Sequence, residues 1–257
     1  MSLPVMFRRL LKGVLPTHVR QAIHRLNIHM TDGRFSKFSR VEVFDTIYRE
    51  RMWGGAPERS SGWGSYGDHS AAYVDFLRQF VVDRHVDSIL DIGCGDFHIG
   101  SQVCERVQTV IGADVSTFIV ARNRQSFTHL KNVEFRQLDV CTDPLPRVDL
   151  ITIREVLQHL SNADISAALD NVQGSGAKFC LVTEHVPAPE VLRRPNLDKP
   201  RGPNVRNPYE LGVYIDKPPF DRTVETVLSV EHPSFAGAPS YLVTSLWKLR
   251  CVDRSAG

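Results

Sequence analysis

The chain predicts an α/β fold built on a doubly wound, mostly parallel seven-stranded sheet with an N-terminal helical extension. Three observations carry that prediction. From residue 87 onward, short apolar, β-branched runs alternate with stretches of helical periodicity. Such alternation builds a parallel sheet with helices on both faces and right-handed crossovers. The run Ser88-Ile89-Leu90-Asp91-Ile92 breaks at two glycines, Gly93 and Gly95, one residue apart. That is how a buried strand enters a sharp turn open to a ligand. Finally, Asp91, Asp114 and Asp139 stand at the ends of three successive strand-like runs, on the edge where doubly wound sheets receive ligands.

A chain of 257 residues can bury a large core. Its net charge is +2, too small to recommend a nucleic-acid partner through the overall field. The charge is uneven, however. Residues 1–30 hold Arg8, Arg9, Lys12, Arg20 and Arg25 and no acid, leaving 26 bases against 29 acids for the rest. Five widely spaced cysteines with no Cys-x-x-Cys pair imply reduced thiols and no zinc site. Apolar runs are too short for a membrane-spanning helix, and the N-terminus lacks a secretory signal's apolar stretch. A cytoplasmic location is expected.

In order along the chain, residues 1–67 are expected to form a helical arm and a lid, and residues 68–257 the ligand-binding domain. Residues 4–30 read as two short amphipathic helices broken at Pro16, basic on their polar faces. The arm is expected to pack on its own domain or on a second copy as a homodimer, with peripheral contact to an anionic membrane as the alternative. A helix follows around 40–51. Residues 53–57 and 60–67 then combine five glycines with Trp53, Trp63 and Tyr66. Loops that mix glycine with large amphipathic rings commonly cover ligands. His69–Arg84 has helical spacing at Tyr73, Phe76, Leu77 and Phe80. Strands are expected at 87–92, 108–114, 132–138, 147–153 and 178–183, and helices at about 98–106, 117–126, 155–160 and 163–173. The proline-rich stretch at about 187–221 breaks the alternation and reads as an insertion on the acceptor side. Strands at 224–231 and 241–249 close the sheet as an antiparallel pair.

Taken with the glycine turn, these acids resemble the motifs of the class I S-adenosylmethionine-dependent methyltransferases, a Rossmann-like fold. Leu90-Asp91-Ile92-Gly93-Cys94-Gly95 is similar to that family's first motif, Ile111-Gly112-Ala113-Asp114-Val115-Ser116 to its second, and Phe135-Arg136-Gln137-Leu138-Asp139-Val140 to its third. Residues 148–160 resemble the fourth strand and the helix after it. The resemblance implies S-adenosylmethionine as cofactor and S-adenosylhomocysteine as product. It places Asp91, Gly93, Cys94, Gly95 and Asp96 at the methionine part, Asp114 and Val115 at the ribose, and Asp139 and Val140 at the adenine. Arg154 would pair with the cofactor carboxylate, its guanidinium fork matching that group, and Ser65 would approach from the lid. One departure stands out: Phe97 occupies a place where the family often has glycine, which implies a bulkier turn. The lid stretch Ser61–Ser65, the Arg154 segment and Pro218-Pro219-Phe220 resemble a branch linked to glycan or glycolipid modification.

Methyl transfer to a hydroxyl needs alignment and a base within hydrogen-bond reach, worth about 10²–10⁴-fold. His159 is the first choice of base, with Glu155 four residues earlier on the same helix face to orient it; the equal alternative is that Glu155 complements the helix N-terminus and His159 is a packed, hydrogen-bonded histidine. Tyr66, His69, Glu184 and His185 are the expected acceptor contacts; Glu184 and His185 are also the rival candidates for the base, and simple strand-end capping competes for both. Nothing in these spacings specifies a metal, and none is expected. The expected reaction is O-methylation of a sugar, glycolipid or small polar metabolite. The alternatives are a natural-product methyltransferase and a non-catalytic cofactor-binding scaffold. Two classes fit poorly. A nicotinamide enzyme would want a glycine where His98 stands, and base-modifying relatives often carry Asn/Asp-Pro-Pro-aromatic where this chain has Arg154-Glu155-Val156-Leu157. No nucleic-acid partner is expected.

Overall fold

A computed structural model describes residues 30–31, 33–54, 60–192, 194–206, 211–232 and 239–249. The two basic helices expected in 4–30 lie outside the described residues, as do residues 55–57 of the lid.

Seven strands form one sheet: β1 (Ser88–Ile92), β2 (Thr109–Asp114), β3 (Val133–Gln137), β4 (Leu150–Arg154), β5 (Phe179–Pro187), β6 (Glu225–Glu231) and β7 (Ser240–Lys248). Their order is β3-β2-β1-β4-β5-β7-β6. The first five pair in parallel, while β7 runs antiparallel to both β5 and β6. The winding reverses between β1 and β4, which opens a crevice beyond their carboxyl ends. Strand periodicity splits the core between two faces. Ile89, Val110, Leu150 and Leu181 pack on one side with Tyr73, Leu77 and Phe80. Leu90, Ile92, Ile151 and Ile153 pack on the other with Ile165, Leu169 and Val172.

Among the described residues the sheet is flanked by α1 (Arg40–Arg49), α2 (Asp68–Asp83), α3 (Thr117–Ser126) and α4 (Asn162–Gly174). Ser39 and Glu42 start α1 with a reciprocal capping box, and Ser116 and Ser161 cap α3 and α4. Val43, Phe44 and Ile47 of α1 enter the same core as Leu90 and Ile151. This fixes the helix over the ligand edge of the sheet.

Two expected helices are absent. Residues 98–106 form two short 3₁₀ turns, Gly100–Gln102 and Cys104–Arg106. The carbonyl of His98, which an α-helix would give to a backbone amide, instead accepts from Ser101 Oγ and Gln102 Nε2 at 3.0 and 2.9 Å. Short polar side chains at a glycine therefore outcompete the helical ladder. Over 155–160 there is one 3₁₀ turn, Leu157–His159. Glu155 sits at φ +56°, a conformation a helix interior excludes. The insertion after β5 has no regular element among the described residues before Glu225. Asn196 Nδ2, within reach of the carbonyls of Tyr214 and Pro218, fixes its course.

Candidate functional site

The glycine turn is tied down on both sides. The amides of Gly93 and Cys94 both donate to the Ala113 carbonyl at 2.8 and 3.0 Å, joining the turn to β2. Gly93 and Gly95 adopt φ of +69° and +54°, which glycine accepts without strain. Asp91 accepts from Thr152 Oγ1 of β4 at 2.8 Å. Asp114, 4% exposed, accepts from the amides of Ser116 (2.9 Å) and Gly95 (3.2 Å) and from the Tyr48 hydroxyl (3.2 Å). Burial pushes the carboxyls of Asp91 and Asp114 up to about 6, because desolvation penalises the charged form. The same burial raises the Cys94 thiol well above its ordinary value.

Phe97 does not crowd this turn, contrary to the expectation of a bulkier one. It keeps a left-handed backbone, φ +60°, and its side chain is fully buried. The ring packs edge-on against Phe127 and Phe135, with centroids 5.3 and 4.8 Å away. Gly100 leaves room for it, since a Cβ there would stand 2.2 Å from the Phe97 ring.

At the third strand end, Asp139 accepts from Arg40 Nε at 2.6 Å and from the Cys141 amide at 3.0 Å. Val140 beside it is buried, and Val115 packs, partly buried, on the core below.

Asp96 anchors the lid. Its Oδ2 accepts from the amides of Ser60 and Ser61 at 2.8 and 3.1 Å and from the Tyr66 hydroxyl. Its own amide donates to Ser61 Oγ at 2.7 Å. The lid thereby lies on the turn: a Cβ on Gly95 would stand 2.1 Å from Ser61 Oγ. Ser65 ends a short 3₁₀ turn, Trp63–Ser65. Arg154 donates to the Gly64 carbonyl at 2.6 Å and to Glu155 Oε2 at 2.8 Å. Its guanidinium sits 5.2 Å from the Tyr73 ring centroid, and its Nε is buried with no partner.

The expected pairing of Glu155 with His159 is not formed. With no helix over 155–160, the two side chains share no face. Glu155 turns to Arg154 and the lid, where a Cβ on Gly64 would meet its carboxylate at 2.0 Å. The His159 ring packs on Trp53, 4.8 Å between centroids, with Nδ1 3.3 Å from the Gly202 carbonyl. Burial takes its pKa down to about 3, so the ring is neutral and enclosed. Glu184 accepts from the amides of Leu157 and Gln158 at 2.9 and 3.2 Å. Burial, with Glu155 near, raises its pKa to about 8. It holds the turn that replaced the helix.

His185 and His69 are brought together through His232, which the sequence reading missed. The rings of His185 and His232 lie 4.5 Å apart and those of His232 and His69 4.4 Å apart, both pairs edge-on. His185 Nε2 is 2.9 Å from Ser240 Oγ, and that hydroxyl gives its single proton to the His232 carbonyl. With that proton committed, the imidazole Nε2 is the donor to Ser240, which makes Nδ1 the accepting nitrogen of the neutral ring. Burial, with His232 beside it, lowers the His185 pKa to about 4. No sequence spacing links residues 69, 185, 232 and 240; the β5–β7–β6 pairing joins the last three, and the packing of α2 on β6 brings in His69. Arg40, Tyr48 and Ser61 were missed for the same reason.

These features fit a nucleoside carrying an amino acid. Carboxylates end three adjacent strands, a glycine turn exposes backbone beside the first, and a buried guanidinium keeps one unpartnered donor. Among the described residues no group of three or more His, Cys, Asp or Glu side chains could hold a metal ion, and no helix is long and apolar enough to cross a membrane. Residues 89–175 match a family model described as a methyltransferase domain. No curated protein sequence matches the chain. Among solved structures it is similar to the N-methyltransferase NodS from Bradyrhizobium japonicum WM9 in complex with S-adenosyl-L-homocysteine. That similarity has a TM-score of 0.55 at 15% identity, covering 79% of this chain and 99% of the other. It is also similar to magnesium protoporphyrin IX methyltransferase (ChlM) from Synechocystis PCC 6803 with bound SAH, at TM-score 0.54 and 14% identity over 81% and 97%. At these identities the likeness concerns the fold.

Proposed function

We propose that this chain, a class I S-adenosylmethionine-dependent methyltransferase, methylates a hydroxyl of a sugar, glycolipid or small polar metabolite, with His185 as the base. The observation that carries the reading is the hydrogen bond to Ser240, which makes Nε2 of His185 the donor and Nδ1 the accepting nitrogen. A base oriented by a third group is the usual arrangement for drawing a proton from an oxygen nucleophile. The depressed pKa, about 4, keeps the ring neutral and able to accept across the neutral range.

The cofactor supplies an electrophilic methyl group on a sulfonium, so the protein has chiefly to bind, align, exclude water and take one proton. Asp114 and Asp139 would hold the adenosine, and Asp91 and Arg154 the amino-acid end. The lid anchored on Asp96 closes the turn from solvent, and Trp53 and Tyr66 offer rings to a sugar face. His159 supports this site from beneath through Trp53, where the sequence reading had made it the base.

The test is incubation of the enzyme with methyl-labelled cofactor and, separately, a glycolipid extract, a sugar panel and a panel of small amines. Label recovered as a methyl ether, and lost in His185→Asn while cofactor affinity holds, supports the reading. Label recovered only on nitrogen, or wild-type turnover in His185→Asn, ends it.

A further inference from the structure

One helix outside the matched domain reaches both acids assigned to the adenosine. From α1, Arg40 Nε donates to Asp139 Oδ2 at 2.6 Å, and Tyr48, eight residues and about two turns later, donates to Asp114 Oδ2 at 3.2 Å. Between them Asp45 accepts from Ser116 Oγ (2.6 Å), Thr117 Oγ1 (2.7 Å) and the Phe118 amide (3.0 Å). Those three bonds lock α1 to the start of α3, immediately after Asp114. Arg40 also bridges to Asp164 at 2.8 Å, and Arg201 holds the other oxygen of Asp164 at 3.2 Å.

We propose that α1 is a wall of the adenosine site, in which Tyr48 and Arg40 are positioning residues that orient the carboxylates of Asp114 and Asp139 toward the nucleoside. The inference rests on the assignment of those two acids to adenosine.

The donor count supports it. An ionised carboxylate offers about four acceptor sites. Asp114 receives three donors, from Tyr48, Gly95 and Ser116, and Asp139 receives two, from Arg40 and Cys141. Each plane is fixed and neither acid is saturated, which is what orientation of a ligand-binding group requires. Anchoring the helix would not need these bonds, since Asp45 and the apolar face of Val43, Phe44 and Ile47 already hold it. Tyr48 is 6% exposed, so its hydroxyl is spent on an acid that burial would otherwise protonate more readily.

The measurement is S-adenosylhomocysteine affinity by calorimetry from pH 5 to 8 for the full chain and for Tyr48→Phe, Arg40→Met, Arg40→Lys and Asp114→Asn. Asp114 faces Tyr48 and Asp45 on α1, and Asp91 and Cys94 on β1 and its turn; Asp96 acts on Tyr48 and Cys94 beside it. No neighbouring cation competes in this set, and of the group only Tyr48 changes in Tyr48→Phe. Removing its hydrogen bond should move the acid-side loss of affinity upward by roughly half to one pH unit and weaken binding at pH 7 about 5- to 10-fold. A purely structural helix would leave that midpoint where it was. Arg40→Met should weaken binding about 10-fold, with Arg40→Lys restoring part of it. If Asp114→Asn weakens binding while Tyr48→Phe keeps the wild-type midpoint and affinity, the role of the helix is overturned and the acid assignment stands. If Asp114→Asn itself binds like wild type, the acid assignment falls and the helix inference falls with it.

Discussion

Asp114→Asn removes a charge that the fold pays to bury. The carboxyl is raised from 3.8 to about 6 by burial, against the opposing bonds from Ser116, Gly95 and Tyr48. Between those values the folded state binds more protons than the unfolded one, so stability falls as pH rises through that interval and the cost is complete above about pH 7. A shift of roughly two units corresponds to about 3 kcal/mol. The asparagine cannot titrate, and it loses one acceptor bond of about 1 kcal/mol at every pH. The wild type should therefore lose about 2.5 kcal/mol relative to the variant between pH 4 and pH 8, whatever the constant offset. Urea unfolding of both proteins across that range reads the difference directly. The difference matters more than either raw curve, because His159 and His185 titrate in the opposite sense. Their pKa values, lowered to about 3 and about 4, make stability fall as pH drops below about 6.5, the unfolded value, in both proteins alike. A difference that does not change with pH would refute the claim that Asp114 is buried at an energetic cost.

His159→Leu should leave turnover within about 3-fold of wild type, whereas His185→Asn should cost about 10²-fold or more in kcat; steady-state kinetics with an accepted hydroxyl substrate separate the two. Asp96→Asn should speed cofactor exchange about 10-fold, because the lid amides and the Tyr66 hydroxyl lose a charged acceptor; stopped-flow displacement of bound S-adenosylhomocysteine measures this, and an unchanged off-rate would show that the lid does not gate release. Phe97→Ala should destabilise the protein by about 3–5 kcal/mol through the cavity it leaves among Phe127 and Phe135, yet hold the cofactor with near wild-type affinity; a large loss of affinity in the still-folded variant would put Phe97 back at the site.

What the sequence made legible follows the range of its patterns. Strand-like runs, glycine punctuation and acids at strand ends are local signals, and they led directly to the parallel sheet and to Asp91, Asp114 and Asp139. Local reasoning failed where side chains from elsewhere captured backbone groups. Spacing alone made Glu155 and His159 neighbours on a helix, but the carboxylate of Glu184, 27 residues from Leu157, holds that turn. Phe97 in place of glycine suggested a crowded turn, but its backbone keeps the left-handed conformation and its ring finds space in the core. The helix–acid contacts span 66 and 99 residues, and the histidine group depends on an antiparallel strand inserted between two others. Neither leaves a periodicity to read.

The proposed reaction requires one nucleoside cofactor lying across the ends of β1, β2 and β3. A crystal structure of the protein grown with S-adenosylhomocysteine tests it most directly. The ribose hydroxyls should lie on Asp114, the adenine beside Asp139, and the amino-acid end between Asp91, the Gly93–Gly95 turn and Arg154. Density for the compound at another surface, with these three carboxylates untouched, would contradict it.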